Sequence, residues 1–149
     1  MFKVVLGFMF VLGVAFAADI FQSVPKDRAE LIQKGANKEA CNMCGMDLVR
    51  FYKTSHAHGN KQFCSIHCLA QSSNYYVPLS PKVVDVTSLK LIKAKDAFYV
   101  VGSKEWGTMS RVSKYAFKEE GDAKAFQKAK GGELMSFEEA YKVALKDSF

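Results

Sequence analysis

The four cysteines of the chain form two closely spaced pairs that could bind a metal ion. Cys41 and Cys44 are separated by two residues, and Cys64 and Cys68 by three. A C-x2-C pair can turn both thiolates toward one point, and Gly45 relieves the backbone crowding that follows such a turn. The second pair projects from one face at the start of a predicted helix, where backbone amides favour thiolate over thiol. The spacing predicts a four-sulfur metal site.

Three chemistries compete for such a site. Structural zinc would use all four thiolates in a closed tetrahedron. Two disulfides would need no metal, and an exported protein could form them. Copper(I) prefers fewer and softer ligands, mixing thiolate with thioether.

The methionines favour copper(I). Met46 lies two residues beyond the first cysteine pair, and Met109 lies in a loop that is expected to be exposed, Gly107–Ser110. A neutral thioether binds copper(I) but adds little to a zinc site. Met43 either binds the ion or lines its loop, whereas Met135 on a short strand is expected to fill the core. The candidate metal ligands are Cys41, Cys44, Met46, Cys64, Cys68 and Met109.

The histidines are weaker ligand candidates. His56 and His58 lie beside a predicted hairpin turn, where a histidine is expected to be solvated. His67 falls between Cys64 and Cys68 but points away from their shared helix face.

The N-terminal segment has the pattern of a signal peptide. Lys3 gives a positive start, residues 4–16 carry no charge, and Ala15-Phe16-Ala17 suits a signal peptidase. The uncharged run is shorter than the roughly 20 apolar residues of a bilayer span. We expect residues 1–17 to be a signal peptide, 18–40 a lead-in segment and 41–149 a metal-binding domain. The predicted location is the periplasm, without a lipoprotein cysteine, and membrane attachment would require that the segment stays uncleaved.

The charge distribution argues against nucleic acid as a partner. Lysine and arginine number 21 against 15 acidic residues, a net charge of +6. The lysines are scattered singly, with no basic block and no aromatic-basic stripe, which indicates a solvated surface that could attract an acidic partner.

The remaining patterns predict an α+β fold, with a small, mainly antiparallel sheet and helices packed on it. Two predicted strand-strand-helix units follow each other along the chain. Ser65 is expected to cap a helix through Cys68, and Ser136 with Glu139 forms a capping box. Strands are predicted at residues 49–52, 61–63, 83–87, 98–101, 111–117 and 134–135, and helices at 65–74, 122–130 and from 137.

The chain resembles the nitrous oxide reductase accessory proteins of the NosL family. Cys41-x-x-Cys44-Gly45-Met46 is similar to the family's cysteine-glycine-methionine signature. The similarity continues over most of the chain, through residues 61–65, 97–103, 108–110, 122–126, 131–132 and 136–137.

This resemblance implies a periplasmic copper(I) carrier, not an enzyme, with the fold shared by organomercurial lyase. It implies ligands at Cys44 or Cys41, at Met46 and at Met109. The implied partner is apo nitrous oxide reductase or another copper-accepting protein of its maturation.

Two features depart from the family pattern. Family members are commonly lipid-anchored, and this chain lacks the cysteine for that. The second cysteine pair resembles the TRASH-type fingers, which leaves a zinc or heavy-metal module for sensing or scavenging as the alternative.

An enzyme related to organomercurial lyase lacks a matching acid residue here, and a disulfide-only interaction protein is a further alternative.

Overall fold

Seven short strands, three α-helices and three short 3-10 helices make up the regular structure of residues 19–147, the part of the chain that the computed structural model describes. The predicted signal peptide lies outside this range. No helix within it is long and apolar enough to cross a bilayer. The elements are β1 (His56–His58), β2 (Lys61–Phe63), α1 (Ile66–Ser72), β3 (Lys82–Val84), β4 (Leu91–Lys93), β5 (Phe98–Val101), β6 (Lys114–Phe117), α2 (Glu120–Lys130), β7 (Glu133–Met135) and α3 (Phe137–Lys146).

The strands form two small antiparallel sheets, so the α+β class is confirmed, with the predicted sheet divided in two. One sheet has the order β2-β1-β3-β4 and the other β6-β5-β7. A single parallel bridge between Asp85 and Ala116 connects them. The second predicted strand-strand-helix unit corresponds to β5-β6-α2, whereas in the first, observed as β1-β2-α1, β1 takes the place of the strand predicted at residues 49–52.

Helices α1 and α3 begin where the sequence places their caps, whereas α2 begins at Glu120, two residues before its predicted start and without a side-chain cap. The Ser65 hydroxyl accepts a hydrogen bond from the Cys68 amide, and Ser136 and Glu139 form the reciprocal capping box of α3. Because α3 buries Phe137 and Tyr141 completely, its apolar stripe packs on the main core, which also contains the buried cysteines.

One predicted strand is wrong. Residues 49–51 form a turn that leads into a 3-10 helix at Tyr52–Thr54, and the strand that pairs with β2 is β1. The Asp47 carboxylate accepts hydrogen bonds from the backbone amides of Val49 and Arg50, at 2.8 and 3.0 Å. These local bonds give the backbone an alternative to strand pairing, so β-propensity does not decide the conformation.

Gly132, between α2 and β7, is predicted to tolerate no side chain. Its φ is +97°, and a Cβ would lie 2.8 Å from the Val101 carbonyl oxygen of the neighbouring strand. We expect Gly132→Ala to lower the free energy of unfolding by about 2–4 kcal/mol in urea titration, since it combines backbone strain with overpacking. Gly121→Ala in α2 is the matched control, because open space surrounds Gly121 and alanine favours a helix. Equal stability of the two variants would contradict this prediction.

Candidate metal centre

The first cysteine pair lies on a closed loop that precedes the sheets. The Cys41 amide donates to the Met46 carbonyl at 2.8 Å, and the Gly45 amide donates to the Cys41 carbonyl at 2.9 Å. Gly45 has a φ of +77°, which a residue with a Cβ would adopt only at a cost. This loop, residues 41–46, is called the knuckle below. These hydrogen bonds close the loop and fix the backbone that carries both cysteines.

The second pair lies where β2 ends and α1 begins. Cys64 directly follows β2, and Cys68 is in the first turn of α1. The Cys64 amide donates to the Cys41 sulfur at 3.3 Å, and the Asn42 amide donates to the Gln62 carbonyl at 2.9 Å. These bonds hold the knuckle against the end of β2, which brings the two pairs together as the spacing predicts.

The four sulfur atoms lie within 4.8 Å of one another. The Cys64 sulfur is 3.5 Å from that of Cys44 and 3.7 Å from that of Cys68. These distances exceed a disulfide bond of about 2.05 Å, and all four cysteines are free. With zinc–sulfur bonds of roughly 2.3 Å, a zinc tetrahedron would have sulfur–sulfur edges of about 3.8 Å. The cluster therefore has the size of a four-thiolate metal site.

Burial and charge differ among the four thiols. Cys41, Cys64 and Cys68 are buried, whereas Cys44 is exposed. Hydrogen bonds from Cys64 and Cys68 lower the pKa of the Cys41 thiol far below its usual range. Hydrogen bonding to Cys41 raises the pKa of Cys64, and of Cys68, above the usual range. In the metal-free cluster these hydrogen bonds favour the thiolate form at Cys41.

The two methionines proposed as ligands pack against the core that contains the buried cysteines. Met46 and Met109 are both partly buried there, and the loop of Met109, which was expected to be exposed, buries Thr108 and Ser110. Met109 has a φ of +53°, a conformation that costs free energy in a residue with a side chain. Met43 is 47% exposed. Met135 packs against the same core, as expected for a filler residue.

Hydrogen bonds hold the loop of Met109 on both sides, through residues that the sequence did not indicate. The Thr54 hydroxyl lies 2.7 Å from that of Thr108 and 2.8 Å from the Cys64 carbonyl. On the other side, the Ser110 hydroxyl contacts the buried Lys114 ammonium and the Asp147 carboxylate. Thr54 therefore connects the methionine loop directly to a cysteine of the cluster. No local pattern marks such a threonine, because its partner is 54 residues away.

The three histidines take different environments, and none belongs to the thiol cluster. His58 is exposed, as predicted for a residue at the hairpin turn, and His67 lies on α1 at 9% exposure. His56 is completely buried, contrary to the expectation that it is solvated. Its Nδ1 lies 2.9 Å from the Thr54 carbonyl, and its Nε2 lies 3.0 Å from the Tyr99 hydroxyl. His56 connects the two sheets, and both of its ring nitrogens form hydrogen bonds within the protein.

Comparison with known proteins agrees with this architecture. The crystal structure of the copper chaperone NosL from Shewanella denitrificans is similar, with a TM-score of 0.53 and 26% sequence identity over 74% of this chain and 96% of that one. Comparison with curated protein sequences finds no significant match. The family model described as NosL matches residues 33–144. Because this range is most of the chain and includes both cysteine pairs and Met109, the protein belongs to the NosL family.

Proposed function

We propose that this chain carries copper(I) as cargo and delivers it for assembly of the copper-sulfide centre of nitrous oxide reductase. The receiving protein would be the apo reductase or another copper-accepting protein of its maturation. Family membership and the similarity to a copper chaperone support this proposal. The main structural support is the cluster of four free thiols within 4.8 Å of one another.

Transfer of the ion would begin at Cys44. A carrier must exchange its ligands one at a time with an acceptor, so at least one ligand must be accessible. Cys44 is the exposed thiol of the cluster, whereas the other three are buried. An acceptor ligand would displace the Cys44 sulfur first, while buried sulfurs hold the ion and limit its loss to solvent. In this role the protein carries the ion and catalyses no reaction.

The proposed ligands are drawn from Cys41, Cys44, Met46, Cys64, Cys68 and Met109. Copper(I) would use two or three of these sulfurs, because it prefers few, soft ligands. The resemblance to the family favours a thiolate of the knuckle together with Met46 and Met109. The hydrogen bonds that hold both sides of the Met109 loop support its inclusion.

Replacing Met46 and Met109 together with leucine tests the mixed-sulfur site. Leucine conserves side-chain volume but removes the thioether. We expect copper(I) affinity, measured without air by competition with a chromophoric chelator, to fall on the order of 10- to 100-fold. Met43→Leu is the matched control, since Met43 lies in the knuckle but is 47% exposed. Unchanged affinity in the double variant would exclude the thioethers as ligands.

A zinc-binding module for sensing or scavenging is the second candidate function. Its support is that the sulfur separations of 3.5 and 3.7 Å approach the edge of a zinc tetrahedron, about 3.8 Å. Under this alternative, protein purified in reducing buffer would contain one zinc ion, and chelation would unfold it. Under the copper proposal, chelation would remove the ion without unfolding the protein, because a carrier must exist in both loaded and empty forms.

We further propose that the protein acts in the periplasm, after cleavage that leaves Ala18 as the first residue. The uncharged segment 4–16 and the triplet at 15–17 support this. N-terminal sequencing of protein from the periplasmic fraction tests it, and an intact Met1 would contradict cleavage.

A further inference from the structure

An exposed apolar segment follows α1, the helix that carries Cys68. This segment, residues 75–79, has the sequence Tyr-Tyr-Val-Pro-Leu. Tyr76 is 79% exposed and Leu79 is 86% exposed. Single exposed apolar side chains are common on protein surfaces, but several together commonly mark an interaction site.

The fold holds this segment in a defined conformation. Asn74 and Tyr75 have φ values of +49° and +65°, in the left-handed region that residues with side chains rarely adopt. The Tyr141 hydroxyl of α3 donates to the Tyr76 carbonyl at 2.8 Å, and Pro78 is buried. The chain therefore bears local strain in a segment that directs Tyr76 and Leu79 into solvent. Such strain persists where the surroundings impose it and is concentrated at functional sites.

Two hollows connect this segment with the knuckle. The first, of about 470 Å³, lies between the segment and the β1–β2 turn, and the second, of about 800 Å³, lies beside the knuckle at Cys41 and Gly45. Asn60 and Lys61 line both, so the hollows are neighbours on one surface. This surface runs from the apolar segment to the metal site.

The charged residues of this surface are all basic. Lys61 lines both hollows and Lys34 lines the second, while neither hollow is lined by an acidic residue. Lys34 and Lys61 are exposed. Salt bridges between described residues involve neither lysine. The surface therefore combines an apolar end with an unpaired positive rim, and it is complementary to an apolar patch surrounded by carboxylates.

We infer that this surface, defined by Lys34, Lys61, Tyr76 and Leu79, docks the protein that accepts the copper, through an apolar pocket on that protein rimmed by carboxylates. The inference rests on the proposed carrier function. Direct ligand exchange requires the acceptor to bind beside the metal site, and this surface borders the knuckle. A second copy of the chain fits less well, since a two-fold interface would bring basic rims together. An anionic membrane would also attract lysine and tyrosine, but an uneven surface with two adjoining hollows suits the relief of a protein better than a lipid surface.

The test uses cells from which the gene for this chain has been deleted, complemented with the full-length chain or its variants. One variant combines Tyr76→Ser with Leu79→Ser, and another combines Lys34→Glu with Lys61→Glu. The matched controls are Leu145→Ser and Lys128→Glu, both exposed positions on other elements. All proteins are first shown to bind one copper(I) with unchanged affinity for a small chelator. The readout is the copper content of nitrous oxide reductase purified from each strain.

We expect the two surface variants to lower the copper content at least fivefold, while the controls restore it fully. If the surface variants restored copper as well as the wild type, the docking surface would be overturned and the carrier function would stand. If deletion of the chain did not change the copper content, the carrier function itself would be overturned. Wild-type binding to phosphatidylglycerol vesicles, lost in the surface variants, would assign the surface to the membrane instead. Concentration-dependent dimerisation lost in the same variants would assign it to self-association.

Discussion

Replacing Cys64 with serine is expected to abolish tight copper(I) binding. The Cys64 sulfur is central to the cluster, 3.5 Å from the Cys44 sulfur and 3.7 Å from that of Cys68. Its amide also holds the Cys41 sulfur at 3.3 Å. Serine is nearly isosteric but presents a hard oxygen, which copper(I) disfavours. We expect the affinity, measured by chelator competition without air, to fall on the order of 100-fold or more.

A comparison of Cys44→Ser with Cys64→Ser separates the loss of a metal ligand from the loss of folding stability. Cys64 is completely buried, so a hydroxyl at that position must find a partner and costs about 1–3 kcal/mol in its absence. Cys44 is exposed, so its replacement should leave the stability of the metal-free protein within about 0.5 kcal/mol of the wild type. Urea titration of the metal-free variants provides this comparison. Wild-type affinity in Cys64→Ser would show that the ion binds elsewhere.

Features of this fold that depend on neighbouring residues were predictable from the sequence. The Ser65 cap, the capping box at Ser136 and the turn at Gly59 each rely on residues within a few positions of one another. The cysteine pairs belong to the same class, because their spacing alone brings each pair of thiols to one side. Their convergence into one cluster is confirmed.

Features that depend on distant contacts were not predictable in this way. The strand β4 was missed, because its three residues carry no clear alternation and it forms by pairing with β3. Thr54 gave no signal, although it connects Cys64 with the loop of Met109. The exposure of Cys44 beside three buried cysteines likewise depends on how the knuckle packs against β2 and α1. Spacing predicts that a metal site exists, whereas its accessible side depends on tertiary structure.

The burial of His56 was likewise not predictable from local sequence, and this burial leads to a prediction about stability in acid. A carbonyl only accepts hydrogen bonds, so Nδ1 carries the proton toward Thr54 and Nε2 accepts from the Tyr99 hydroxyl. Both bonds are satisfied by the neutral ring, and protonation would set a charge in the interior without a counter-ion. Burial accordingly lowers the pKa of His56 from 6.5 to about 4. The folded protein thus binds this proton less readily than the unfolded chain does.

The metal-free protein should therefore lose stability as the pH falls below the unfolded pKa of about 6.5. A depressed pKa stabilises the fold above that value, and the stabilisation disappears as the pH falls toward 4. For this group alone, we expect the free energy of unfolding in urea to decrease by about 2 kcal/mol between pH 7.5 and 5. His58→Gln, on the same strand but exposed, should keep this dependence. His56→Gln should be less stable at pH 7.5 yet lose most of the slope, and a slope equal to that of the wild type would assign the acid sensitivity to other groups.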